Sequence, residues 1–184
     1  MLSIRRLTGI GLDALNRLNS GYTSTECYCV SKSELPDRII ISLQLKHLEI
    51  PFHKRWESTQ EDLERYEQVV NSGFSLGAYL NNQQVGIALA EKRDWNSSLW
   101  IWEFYVEGTY RRKGIGRQLM ESLAHLAKQA GLRIMTAESQ NTNAPAIAFY
   151  RALGFEIDGI DLSYYTNQDL ESGEVAVFMK RKLV

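Results

Sequence analysis

The spacing of apolar residues switches repeatedly between the alternation of a strand and the three-to-four spacing of a helix, which predicts a mixture of both along the chain. Residues 2–7 read as a short strand, and 11–20, with Leu12, Leu15 and Leu18, as a helix. Residues 27–30 and 38–47 are β-prone. A polar helical pattern follows over 58–68, with Ser58 or Thr59 as its cap and Glu61 in its first turn. Three extended runs, 74–79, 84–90 and 99–106, are separated by Asn81-Asn82 and by Asp94-Trp95-Asn96-Ser97, the signature of an antiparallel meander.

Over 116–130, Leu119, Leu123, Leu126, Ala127 and Ala130 fall on one helical face, and Gly131 is a fitting stop. A strand at 132–137, a helix at 144–153 and strands at 155–165 and 175–181 complete a β-α-β-α-β second half. The expected fold is therefore mixed α/β, a central sheet flanked by helices.

With 184 residues, 44% of them hydrophobic, the chain suits one core, and we expect a single domain over residues 1–184. Only three prolines occur, and no repeat or flexible linker interrupts the pattern. A net charge of -1 and a pI near 6.3 supply no broad basic field, which argues against nucleic acid or an anionic membrane as partner. No stretch approaches the roughly 18 apolar residues of a membrane span, and the first residues lack the apolar core of a secretory signal. The expected location is cytoplasmic. Cys27 and Cys29, one residue apart, suit neither an ordinary disulfide nor a zinc framework and read as packing residues. His47, His53 and His125 form no ligand grouping, so no metal is expected.

Chemistry concentrates in Val106-Glu107-Gly108-Thr109-Tyr110-Arg111-Arg112-Lys113-Gly114-Ile115-Gly116, between a strand and an amphipathic helix. Such a strand-loop-helix step offers unpartnered helix N–H groups to a phosphate, glycines that let it approach, and local positive charge. A dinucleotide fingerprint would need glycine where Leu119 stands, and a P-loop would need Lys-Ser/Thr where Ile115-Gly116 stands.

Arg111-x-x-Gly114-x-Gly116, with Val106 five residues upstream, resembles the acetyl-CoA pyrophosphate loop of GNAT N-acetyltransferases. Asn143-x-x-Ala146-Ile147-Ala148-Phe149-Tyr150-x-x-Leu153-Gly154-Phe155 resembles that family's second motif. Glu138-Ser139-Gln140, Gly159-Ile160-Asp161-Leu162, Tyr165 and Glu174 extend the likeness to streptothricin acetyltransferases. The resemblance implies a mostly antiparallel, twisted GNAT sheet with splayed central strands and acetyl-CoA as co-substrate. Backbone near Tyr105 and Val106 would bond the pantetheine arm, and amides of Arg112, Lys113, Gly114, Ile115, Gly116 and Arg117 the pyrophosphate, with charge from Arg111, Arg112 and Lys113. Asn143 would contact the pantetheine or cap the following helix.

Tyr150 fits a general acid, because a phenol of pKa about 10 can give its proton to a departing thiolate. The base is either Glu103 or Glu138. Strict alternation places Trp100 and Trp102 on one face of the strand and Glu103 on the other, unless a bulge reverses the parity. Asp161, Tyr165 and Glu174 would form an acidic, aromatic-edged pocket for a cationic amine, with Trp102, and also Trp95 and Trp100, as candidate cleft residues.

The reading implies direct attack of a small-molecule primary amine on the thioester. A streptothricin-like antibiotic is the leading acceptor, with another polyamine or a protein amine as alternatives. A non-catalytic acyl-CoA-binding module is the rival class, and a homodimer is left open as the assembly.

Overall fold

The computed structural model describes residues 1–183; Val184, the end of the expected domain, lies outside the described residues. In chain order the elements are β1 (Leu2–Arg6), α1 (Leu12–Leu18), β2 (Tyr22–Leu35), β3 (Arg38–Lys54), α2 (Gln60–Asn71), β4 (Leu76–Leu80), β5 (Gln83–Arg93), β6 (Ser98–Val106), α3 (Ile115–Gln129), β7 (Ile134–Gln140), α4 (Ala144–Arg151), β8 (Glu156–Asp161), α5 (Asp169–Ser172) and β9 (Ala176–Lys182). The architecture is a mixed, mostly antiparallel sheet flanked by helices, as the sequence pattern predicts. Contacts divide the chain into two units, one of Met1–Gly21, Arg55–Ala137 and the chain end from Arg181, the other of Tyr22–Lys54 and Glu138–Lys180.

In the first unit the strand order is β1-β4-β5-β6-β7, antiparallel except for the parallel β6–β7 pair. Asn81 and Asn82, at φ 49° and 66°, close a two-residue hairpin between β4 and β5, a conformation that asparagine tolerates. Thr59 caps α2 through a reciprocal box with Asp62. Leu15, Leu18, Tyr66, Val69 and Val70 of α1 and α2 form a buried cluster with Ile87 and Leu89 of β5. Alternation sends Ala88 and Ala90 to the opposite face, where small side chains let α3 pack closely with Leu119, Met120 and Leu123 fully buried. Gly131, at φ 70°, ends that helix as the sequence suggests.

The second unit contains the β2–β3 hairpin, α4 packed on β2, and the antiparallel β8–β9 pair. Asn141 staples it. Its side-chain amide donates to Tyr28 O (2.8 Å) and Gly173 O (3.1 Å), and its Oδ1 accepts from Val175 N (2.8 Å), while the residue is only 2% exposed.

Three expectations about elements are corrected. The hairpin strands run over Tyr22–Leu35 and Arg38–Lys54, well beyond 27–30 and 38–47, because both faces of the arm are largely exposed and its polar positions follow no burial pattern. The strand expected over 155–165 stops at Asp161, whose Oδ1 accepts from Ser163 N (3.0 Å) and turns the chain. The short helix α5 follows where none was expected. Buried Asp169 fastens this stretch by accepting from Tyr165 N (2.8 Å), Thr166 N (2.7 Å) and Thr166 Oγ1 (2.7 Å).

Asn141→Leu removes three hydrogen bonds from buried or half-buried backbone at once. Each stranded group costs about 1–3 kcal/mol, so urea unfolding should show a loss of about 3 kcal/mol or more. An unchanged midpoint would show that the staple adds nothing to stability.

Candidate active site

The predicted phosphate loop lies in the first unit. Glu107 opens it and is paired with Arg17 of α1, which also donates to Gln84 O (2.9 Å). A short 3₁₀ turn over Gly108–Tyr110 follows, and then Arg112 and Gly114 take left-handed backbone at φ 60° and 80°. No side chain caps α3 at Gly114, and Gln118 N is the amide that returns to Gly114 O (3.1 Å). Left-handed residues two apart gather successive amides into one concavity, and the first-turn N–H groups point outward from the helix end. A Cβ on Gly114 would meet only Gln118 Nε2 at 4.0 Å, so the surrounding space is open and glycine is demanded by its φ.

The basic residues of this loop divide in role. Arg111 Nε donates to Val106 O (3.0 Å), and its Nη2 donates to Ser20 Oγ (2.8 Å) and Gly21 O (3.2 Å); burial lowers its pKa. Its guanidinium thus shapes the loop. Arg112, Lys113 and Arg117 are exposed around the helix start, with the Lys113 ammonium 5.2 Å from the centre of the Tyr110 ring. These features fit a diphosphate held by amides and exposed cationic side chains.

β6 approaches the loop with a break in its pairing. Its parallel ladder with β7 spans Ser98–Ile101 against Ile134–Ala137, whereas pairing with β5 continues to Val106. The ladder with β7 thus ends at Ile101. Gly86, opposite Val106, permits the β5 approach, since a Cβ there would lie 2.9 Å from Tyr105 O. Between Leu89↔Glu103 and Ala90↔Ile101 the register shifts, leaving Trp102 as the inserted residue.

That bulge corrects the strict-alternation expectation. Glu103 pairs with Leu89, Tyr105 with Ile87 and Trp100 with Glu91, so all three share the face covered by α1 and α2. Trp102 also packs against that cluster, 6.1 Å from the Trp100 ring, with its Nε1 buried and unpartnered among the described residues. Tyr66 of α2 donates its hydroxyl proton to Glu103. Burial raises the pKa of Glu103 despite that bond, and burial together with the Glu103 charge pushes the Tyr66 and Tyr105 phenols up. Trp95, 83% exposed in the turn before β6, takes no part in this group.

In the second unit, Tyr165 donates its hydroxyl proton to Glu138, and Lys54 is ion-paired with Glu174. The Lys54 ammonium also sits 5.9 Å from the centre of the Tyr165 ring. Tyr22, opposite Lys54 in the hairpin register, is 2.7 Å through its hydroxyl from Thr142 Oγ1. Its phenol is pushed up to about 12 by burial, with smaller contributions from the charges of Glu174 and Glu138. Of the predicted acceptor residues, Tyr165 and Glu174 join this cluster, while the described hydrogen bond of Asp161 is the local one to Ser163.

Tyr150 is buried in α4, 7% exposed, with Phe149 and Phe155 ring centres at 5.6 and 5.2 Å. Asn143 caps the same helix, its Oδ1 accepting from Ala146 N (3.2 Å), which is the cap alternative read from the sequence. Sequence reasoning missed Tyr66, Tyr22, Thr142 and Lys54. None of them lies in a local motif.

Among the described residues no group of His, Cys, Asp and Glu could hold a metal, and no helix is long and apolar enough to cross a membrane. Known proteins agree with the geometry. Streptothricin acetyltransferase of Streptomyces lavendulae is 39% identical over 94 residues, 51% of this chain and 49% of that protein, so the match spans about half of each. Streptothricin acetyltransferase A of Bacillus subtilis (strain 168) is 28% identical over 70% of this chain and 72% of its own length. A Bacillus anthracis (strain Ames) structure assigned as a streptothricin acetyltransferase, in complex with acetyl coenzyme A, superposes with a TM-score of 0.76 at 26% identity, covering 99% of this chain and 98% of that one. The nourseothricin acetyltransferase structure shares the fold, with a TM-score of 0.75 at 24% identity over 100% and 99% of the two chains. The acetyltransferase (GNAT) family profile matches residues 42–155, which takes in the loop before α3, strand β6 and the Tyr150 helix, and the chain belongs to that family of acetyltransferases.

Proposed function

We propose that the protein is an acetyl-CoA-dependent N-acetyltransferase acting on a primary amine of a small cationic acceptor, with a streptothricin-like antibiotic as the leading acceptor. The observation that carries the cofactor reading is the start of α3, which no side chain caps and where Arg112 and Gly114 turn left-handed and gather successive amides. The acceptor reading is supported by the streptothricin acetyltransferases among the relatives and by the Glu138–Tyr165–Glu174 cluster. The family match crosses both units, in keeping with one functional domain, and a cytoplasmic location belongs to the same proposal.

Acetyl-CoA would supply an acetyl thioester and a thiolate leaving group. Amides of Arg112 to Arg117 would hold its pyrophosphate, assisted by Arg112 and Lys113. Backbone at Tyr105 and Val106 would align its pantetheine arm along the part of β6 that lies beyond its ladder with β7. Glu138 would take the proton that the acceptor ammonium must lose, directly or through water. Tyr150 would hold the proton that the departing thiolate receives.

Gly114→Val forces a β-branched residue into left-handed backbone and places its side chain over the amides. Calorimetry should show acetyl-CoA affinity collapsing while the far-UV spectrum is retained. Undiminished affinity would remove the loop from the cofactor site.

Tyr150→Phe keeps the ring between Phe149 and Phe155. kcat should fall by about 10²- to 10⁴-fold, toward the lower end because a thiolate leaves tolerably well unprotonated, with acetyl-CoA affinity nearly constant. Wild-type single-turnover rates would make Tyr150 a packing residue.

The two carboxylates are separable by pH. Burial raises the pKa of Glu103, so catalysis through that group would gain activity as pH rises through a value above the ordinary glutamate range. With Glu138 as base, Glu138→Gln abolishes most turnover, and Glu103→Gln leaves the acidic limb of the kcat/KM profile where it was. Loss of that limb in Glu103→Gln alone would transfer the role to Glu103.

A further inference from the structure

Lys54 stands out because it supplies the ammonium of the carboxylate cluster in the second unit. Its head group meets the Glu174 carboxylate and lies 5.9 Å from the centre of the Tyr165 ring, whose hydroxyl is given to Glu138. Those are a carboxylate and an aromatic face, the surroundings by which proteins bind an organic cation. The hairpin register fixes the position, since Lys54 ends β3 directly opposite Tyr22, and Tyr22 is anchored by Thr142. Tyr22 and Tyr165 both feel the charges of Glu138 and Glu174, so the two carboxylates share one neighbourhood.

We propose that Lys54 is a place-holder: its ammonium occupies the acceptor's seat on Glu174 and Tyr165 in the free protein, and a primary alkylammonium acceptor binds by displacing it. The inference rests on the reading of this cluster as the acceptor pocket. Lys54 is suited to leaving. Its side chain is 31% exposed and that of Glu174 25% exposed, so the pair is wet and individually weak, and a flexible four-carbon stem can swing into water. A place-holder also explains how two neighbouring carboxylates persist without an acceptor, because one ammonium offsets half of their charge. It further defines the ligand, since whatever replaces Lys54 must present an ammonium on an apolar stem of comparable slenderness.

The test measures binding of 1,5-diaminopentane to the full chain by calorimetry, beside steady-state acetylation of streptothricin. Lys54→Met keeps the stem and removes the competitor, so diamine affinity should rise about fivefold, the scale of one partly solvated ion pair. Lys54→Arg keeps a cation and should bind like wild type. Lys180→Met, which removes the same charge from an ion pair with Asp158, should also leave affinity unchanged. In Lys54→Met/Glu174→Gln the gain should vanish.

Unchanged or weaker diamine binding by Lys54→Met overturns the proposal, as does an equal gain in Lys180→Met. Failure of the wild-type protein to acetylate streptothricin would instead count against the acceptor reading, and the diamine titration would still decide the role of Lys54. Where streptothricin is a substrate, Lys54→Met should lower its KM with that of acetyl-CoA unchanged.

Discussion

β6 keeps β5 beside it to Val106 but keeps β7 only to Ile101, and the inserted Trp102 falls where the second ladder ends. A strand bonded on both sides cannot readily take an extra residue, because every neighbour would have to shift register with it. Once one ladder has stopped, only β5 must accommodate the bulge. The insertion turns Glu103 and Tyr105 toward α1 and α2, and Gly86 lets the β5 backbone follow the altered strand at Tyr105. The side chains at the end of β6 thereby remain part of a packed face.

Carboxylates in the two units are accommodated by different means. Glu103 lies on the face covered by α2, where burial raises its pKa and Tyr66 supplies a donor. Such a group is stabilised by protonation as well as by its hydrogen bond. Glu138 and Glu174 are only half-buried and are met by a phenol and an ammonium, so their charge is balanced by neighbours and by water. A buried carboxylate suits a fixed position in the wall, whereas partly solvated ones can exchange partners at small cost.

The elements most legible in the sequence were those whose evidence is local. α3 announced itself through Leu119, Leu123 and Gly131, and the β4–β5 turn through Asn81-Asn82, because each signal lies within a few residues of the structure it specifies. The parity of β6 was not legible, since a bulge at Trp102 leaves no mark in an alternating aromatic run and depends on where β7 stops pairing. The β2–β3 arm was underestimated for the opposite reason: exposed on both faces, it has no burial to impose a pattern. Tyr66 was hidden as one more helix aromatic until its hydroxyl was seen on Glu103.

The same distinction separates the two halves of the chemistry. The loop before α3 is shaped by backbone, and its instructions, glycine at 114 and an uncapped helix start, lie within six consecutive positions. The carboxylate cluster is made of side chains gathered from β2, β3, β7 and the 165 and 174 segments, and Tyr22, Tyr165 and Glu174 all lie outside the family-matched residues 42–155. The family match therefore covers the loop whole and the cluster only in part, and the cluster is assembled by long-range contacts such as Lys54 with Glu174, 120 residues apart.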